Sequence, residues 1–192
     1  MAEYWDLGHK LFKTTAKEFP AHFIGGDAFD PAFFETAPVL DSPPTTPAPA
    51  LSSLNTLTPL NGRVSVIHAS SFFHLFDEAK QLELARKLAG LLSPEPGSII
   101  LGGHAGQPVK GLWERRTLSS GGHMFCHSPE SWRELWDGQV FEKGKVKVDV
   151  VLKQAKDLVQ AEDSKEWIDK AQKPDVLDTG NYQVLIWSVT RL

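Results

Sequence analysis

The stretch from Arg63 to Gly103 constrains the fold more than any other part of the chain. Val64, Val66 and Ile67 form a short apolar run rich in β-branched residues, which predicts a buried strand. From Leu75 the apolar residues fall at Leu75, Ala79, Leu82, Ala85, Leu88, Ala89 and Leu92, an i, i+3, i+4 stripe that marks one face of a helix. Ser70 is the expected N-cap of that helix, and Glu83 stands four residues before Lys87 in the favourable order for a surface ion pair. Pro94 and Pro96 stop the helix, Gly97 turns the chain, and Ile99–Leu101 supplies a second strand. This is a βαβ unit, so its strands are expected to be parallel, joined by a right-handed crossover. Ligands on such sheets bind at the carboxyl ends of the strands, here His68-Ala69-Ser70 and Gly102-Gly103-His104.

The rest of the chain hangs on this unit. Residues 3–19 read as an amphipathic helix with Tyr4, Leu7, Leu11 and Phe12 on one face, ended by Pro20. Ala21–Gly25 reads as a short strand closing on Gly25, Gly26 and Asp27. Asp30 and Pro31 then suit the N-cap and first position of a brief helix. Residues 36–60, with Pro38, Pro43, Pro44, Pro47, Pro49 and Pro59, form a low-complexity surface loop, extended and mobile in expectation. Beyond Gly106 the clearest signal is Ser128-Pro129-Glu130, a good helix start. Val146, Val148, Val150 and Leu152 alternate with charged neighbours, as in a half-exposed strand. A polar, helix-prone stretch over 153–171 and the turn Asp178-Thr179-Gly180 lead to a long terminal strand, Tyr182–Thr190. The two late strands are expected to pair antiparallel at one edge of an otherwise parallel sheet.

A chain of 192 residues with 41% hydrophobic content fits one domain with a real core. Its net charge of −4, without a basic stripe, argues against nucleic acid and anionic membrane as partners. No apolar run is long enough to span a bilayer, and Glu3 and Asp6 stand where a signal peptide would be apolar. The single cysteine, Cys126, excludes an internal disulfide and fits a reducing compartment, so a cytoplasmic location is expected.

Three motifs invite chemistry and fall short of it. His123-Met124-Phe125-Cys126-His127 clusters two imidazoles and a thiol, but an extended backbone turns Cys126 away from the histidines, and a metal site is not expected. Gly102-Gly103-His104-Ala105-Gly106 follows a strand but opens no helix, so it is read as a loop needing close backbone approach rather than a phosphate cradle. Ser70-Ser71 lacks the G-x-S-x-G elbow of a serine hydrolase. Asp27 is the more informative acid: behind two glycines, it either accepts hydrogen bonds from a nucleoside amine or caps the turn that follows.

Phe23–Asp30 and Val66–Phe76, with Tyr4–Phe12, Leu91–Ser98, Met124–Trp132 and Leu185–Val189, resemble fungal class I S-adenosylmethionine-dependent methyltransferases of secondary metabolism. The resemblance runs essentially end to end. It implies an α/β, Rossmann-like methyltransferase sheet of seven strands, mostly parallel with an antiparallel C-terminal edge hairpin. Ala21–Gly25, Val64–His68 and Ile99–Leu101 would be its third, fourth and fifth strands. It further implies S-adenosyl-L-methionine as cofactor and a small-molecule acceptor, with O-methylation as the expected reaction. Asp27, Ala28 and Phe29 would line the adenine side, and His68 and Ala69 would lie near the methionine portion. Phe72, Phe73 and His74 would face the acceptor, and His68 and His74 are the candidate bases. The family's Gly-rich loop and ribose-binding acid, which precede these strands, have no counterpart in the sequence. The expectation is therefore a truncated sheet with either a re-paired or an open edge. The alternative reading is a non-catalytic remnant or interaction module that pairs with another copy or an intact homologue.

Overall fold

The computed structural model describes residues 2–15, 17–114, 123–158 and 182–192. Helix α1 (Ala2–Phe12) comes first, followed by a long irregular segment. The βαβ unit then consists of β1 (Val66–His68), α2 (Glu78–Leu91) and β2 (Ile99–Gly106). A hairpin of β3 (Gly111–Glu114) and β4 (His123–Cys126) leads to α3 (Pro129–Trp136). Strands β5 (Val146–Gln154) and β6 (Gln183–Arg191) complete the chain.

The main sheet has four strands in the order β1-β2-β6-β5, and β3 and β4 form a sheet of their own. β1 runs parallel to β2, with Val66 opposite Ile99 and His68 opposite Leu101. β6 lies antiparallel to both β2 and β5. The sheet is thus mixed rather than mostly parallel: the expected edge hairpin is present, and β1–β2 is the only parallel pair of strands among the described residues. On β5 the inward Val146 and Val150 are buried, while Lys147 and Asp149 face solvent and pair at 2.7 Å. Exposed charges on an outer strand discourage further edge pairing.

Helix α2 starts later than its periodicity suggests. Ser70 and Ser71 follow β1, a 3-10 turn spans Phe73–Leu75, and the N-cap is Asp77, whose carboxylate accepts from the Lys80 amide. Ser70 is therefore not the cap; its hydroxyl accepts from the Gly103 amide instead. The helix buries Leu84, Ala85, Leu88, Ala89 and Leu91, whereas Leu75 and Ala79 remain exposed. Lys87 is buried on this face, its ammonium donating to the Phe34 carbonyl, with Glu83 3.6 Å away. Helix α3 carries the expected cap: Ser128 accepts from the Ser131 amide, and Ser131 returns the bond to the Ser128 amide.

Three other expectations change in the fold. The first helix stops at Phe12, because Lys13 adopts a left-handed conformation with φ of 51°. Ala21–Gly25 is irregular: a strand needs a neighbour to satisfy its backbone, and none of the described strands offers one. Phe23 packs instead on Trp5, with ring centroids 5.2 Å apart. The helix expected after Asp30 is a single turn, in which Phe34 N–H donates to the Asp30 carbonyl at 2.8 Å. The Pro-rich segment is irregular as expected, yet it is pinned by a buried Leu54 and by Leu57 and Leu60, which pack against the core. The helix-prone stretch expected over 153–171 opens instead on the end of β5 and a 3-10 turn at Ala155–Asp157; its remainder beyond Leu158 and the turn Asp178–Gly180 lie outside the described residues.

The centre of the molecule is aromatic. Phe73, Trp132, Trp136 and Trp187 meet edge to face, tilted or, for Trp136 and Trp187, stacked, with centroids 4.9 to 6.2 Å apart. Leu84, Ile100, Leu185 and Val189 close around them, and the cluster ties the sheet to α2 and α3.

Candidate functional site

The carboxyl end of β1 is the point where the sequence places its candidate residues. Gly102 on β2 allows β1 to lie close, since a Cβ there would stand 2.3 Å from the Ala69 carbonyl oxygen. The chain leaves β1 through Ser71, whose φ of 53° is unusual for a residue with a side chain. Its amide donates to the Gly103 carbonyl at 2.7 Å and holds the turn in place. Strained backbone of this kind gathers at functional sites, and here it stands just beyond His68 and Ala69.

His68 is exposed, its Nε2 2.8 Å from the Ser70 hydroxyl, and that hydroxyl also takes the Gly103 amide. Ala69 is buried, and its amide donates to the Leu101 carbonyl. His74 belongs to a separate bonding system: its Nδ1 accepts from the Ala105 amide at 3.3 Å. Phe73 is wholly buried in the aromatic core, so it cannot face an acceptor, contrary to the sequence expectation. Phe72 remains half-buried and edge-on to Phe76.

Asp27, Ala28 and Phe29 form a turn beside this end. The Asp27 carboxylate accepts from the Phe29 amide at 2.9 Å through Oδ1, so it does cap its own turn. The side chain is exposed, and Oδ1 is the oxygen engaged in that bond. Phe29 meets Phe76 edge to face at 4.7 Å, with the Lys80 ammonium 5.2 Å from the Phe29 ring. The Asp27 turn and the segment following β1 are thereby joined through Phe29, Phe76 and Phe72.

An exposed acid next to aromatic rings fits the adenine end of a nucleoside cofactor, the acid accepting from an amine and the rings offering stacking area. The fit covers that end only. His68, expected near the methionine portion, is exposed. The cavities beside Ala105–Pro108, along α1, beside Leu51–Leu60 and between α2 and α3 are not lined by Asp27, Ala28, Phe29, His68, Ala69 or His74.

Two histidines noted in the sequence, His104 and His127, prove to be buried. Gly102–Gly106 is strand, not loop, and alternation along β2 turns His104 into the core. Burial pushes its imidazole down to about 3, with the neighbouring His74 and His127 adding to the effect. His127 is likewise buried and held down to about 4, mainly by desolvation. Cys126 is buried too, and desolvation raises its thiol to about 11. Among the described residues no group of three His, Cys, Asp or Glu side chains is placed to hold a metal ion. Nor is any helix there long and apolar enough to cross a membrane.

Comparison with known proteins gives the sequence a context. No family model matches the chain. It is 30% identical to the O-methyltransferase phiE of a fungal species over 141 residues, 73% of this chain and 39% of that protein. It is 30% identical to the methyltransferase adrK of Penicillium roqueforti over 151 residues, 77% of this chain and 45% of that one. A solved S-adenosylmethionine-dependent methyltransferase from Mesorhizobium loti aligns over 68% of this chain and 63% of its own. That alignment has a TM-score of 0.41 and 13% identity, a likeness too loose to argue from. The chain spans about two fifths of the length of the fungal relatives. By its sequence, this chain is similar to fungal methyltransferases along part of their length.

Proposed function

We propose that this chain carries part of a methyltransferase fold and binds S-adenosyl-L-methionine at the carboxyl end of β1, with the Asp27–Phe29 turn taking the adenine. The cofactor supplies an activated methyl group on its sulfonium. What the protein contributes to such a transfer is chiefly alignment of donor and acceptor. The observation that carries the reading is the junction of the Asp27 turn with the strained Ser71 exit through Phe29 and Phe76, in the two segments with the strongest family resemblance.

In this reading Asp27 receives the adenine amine, Phe29 and Phe72 supply apolar surface, and Ala69 leaves room where a larger side chain would intrude. His68, bonded to Ser70, is placed to take a proton from a hydroxyl acceptor, which makes O-methylation of a small molecule the reaction proposed. The location proposed is cytoplasmic, in keeping with a single buried thiol.

A second reading has its own support. The outer edge of β1 pairs with no strand among the described residues, and Val66 on it is 61% exposed. A chain with such an edge also suits a non-catalytic module that pairs with a second copy or with a longer relative.

Calorimetric titration with S-adenosylmethionine and with its demethylated product separates the two. The enzyme reading predicts micromolar binding that weakens on Asp27→Ala. The module reading predicts no heat with either ligand from a protein that circular dichroism shows to be folded.

A further inference from the structure

A different part of the molecule holds a better-enclosed site. Between the first turn of α2, the β3–β4 hairpin and α3 lies a cavity of about 610 Å³, within the usual range for small-molecule pockets. Leu82, Leu112, Phe125 and Leu135 make its apolar walls. Two polar side chains lie buried in its lining, Ser131 and His127; His127 is only 2% exposed, with its ring 5.2 Å from those of Phe125 and Trp132. The Nδ1 atom of His127 is 2.9 Å from the Ser131 hydroxyl, which fixes the ring. Nε2 is buried and has no hydrogen-bond partner among the described residues. A buried polar atom left in that state is unfavourable, so a partner from outside the chain would be favoured.

The surroundings limit what that partner can be. At the mouth Lys110 is already paired with Glu78 at 2.9 Å, and Asp77 and Glu134 add two further carboxylates to the lining. That excess of negative charge disfavours an anion. The interior offers a cation apolar walls, a Ser131 hydroxyl already engaged by its neighbours, and an imidazole that burial keeps neutral. A neutral imidazole has one donor and one acceptor nitrogen, and a hydroxyl can pair with either.

We propose that this cavity binds a neutral, largely apolar small molecule through one hydroxyl group, which hydrogen-bonds to His127 Nε2. The size admits two or three fused rings. None of the residues assigned to the cofactor lines it, so the proposal stands apart from the methyl-transfer reading.

The test compares 2-naphthol with naphthalene on the whole chain, following the side-chain nitrogens of histidine by NMR. The expected result is saturable binding of 2-naphthol with a shift at His127 Nε2. Naphthalene should bind at least about tenfold more weakly, the worth of one buried hydrogen bond. His127→Phe should abolish the preference for the hydroxyl. Leu112 is 65% exposed at the cavity wall, so Leu112→Trp should narrow the site without touching the buried cluster, and should block binding. Equal binding of the two probes, no binding of 2-naphthol, or undiminished binding to Leu112→Trp would each overturn the proposal, whether or not His127→Phe folds.

Discussion

Trp187 Nε1 donates a hydrogen bond to His104 Nδ1 at 2.9 Å, deep in the aromatic core. An indole nitrogen can only donate, so Nδ1 must be the unprotonated nitrogen and the ring must be neutral. This side-chain bond adds to the β2–β6 ladder beside Phe73, whose ring lies 5.6 Å from that of His104.

Acid should therefore destabilise the fold. His104 and His127 are held at about 3 and about 4, below the 6.5 of an ordinary imidazole. In the unfolded chain both protonate as pH falls through 6.5, while in the fold they stay neutral. Their contribution to stability is thus complete above pH 6.5 and is lost progressively toward pH 4 and below. At about 1.4 kcal/mol per pKa unit, the combined loss is on the order of several kcal/mol. Urea midpoints measured from pH 7.5 to pH 4 should fall steadily, and His104→Gln should flatten the slope. A midpoint constant over that range would contradict the account.

Cys126 should be inert in the native state. It is 1% exposed and its thiol is raised to about 11, so very little thiolate exists at pH 8. Labelling with a thiol-specific disulfide reagent should be at least about a hundredfold slower for the folded chain than for the chain in denaturant. Fast labelling of the folded protein would place this thiol on the surface.

The two candidate caps of α2 make opposite predictions. Asp77→Ala removes the carboxylate that accepts from Lys80 and should cost about 1 kcal/mol. Ser70→Ala removes the bond to the Gly103 amide instead, and should leave the start of the helix unchanged. Thermal unfolding together with amide exchange at residues 78–80 distinguishes the two effects.

Gly102→Ala should be costly, because the new methyl would stand 2.3 Å from a backbone oxygen that cannot move without breaking the β1–β2 ladder. A loss of about 1–3 kcal/mol or more is expected. Gly111→Ala, where nothing lies within 4 Å of an added methyl, is the control and should have little effect.

The sequence carried the βαβ unit, the Ser128 cap and the two late strands because each rests on local chemistry: periodicity, a cap, an alternation. It misjudged Ala21–Gly25 because strand formation depends on a neighbour, which no local pattern reveals. The glycines at 102 and 103 suggested a loop, yet the close approach expected of them is real and serves strand packing. His104 was legible in principle, since Ile100, Gly102 and His104 fall on one face once the strand is extended. The cavity beside His127 was not, because it needs α2 brought against the hairpin and α3, which come much later in the chain. Asp27 shows why the site is harder to read than the fold. Both roles weighed for it, capping and ligand binding, use the same carboxylate, and the observed cap at Oδ1 does not exclude the second.

The central claim is that the Asp27 turn and the exit from β1 form one binding surface. Amide hydrogen exchange of the whole chain, with and without saturating S-adenosylhomocysteine, tests it most directly. The account predicts ligand-induced protection confined to residues 27–30 and 68–76, with the hairpin and the β5–β6 edge unchanged. Exchange that is identical with and without the ligand, or protection only at residues remote from both segments, would contradict it.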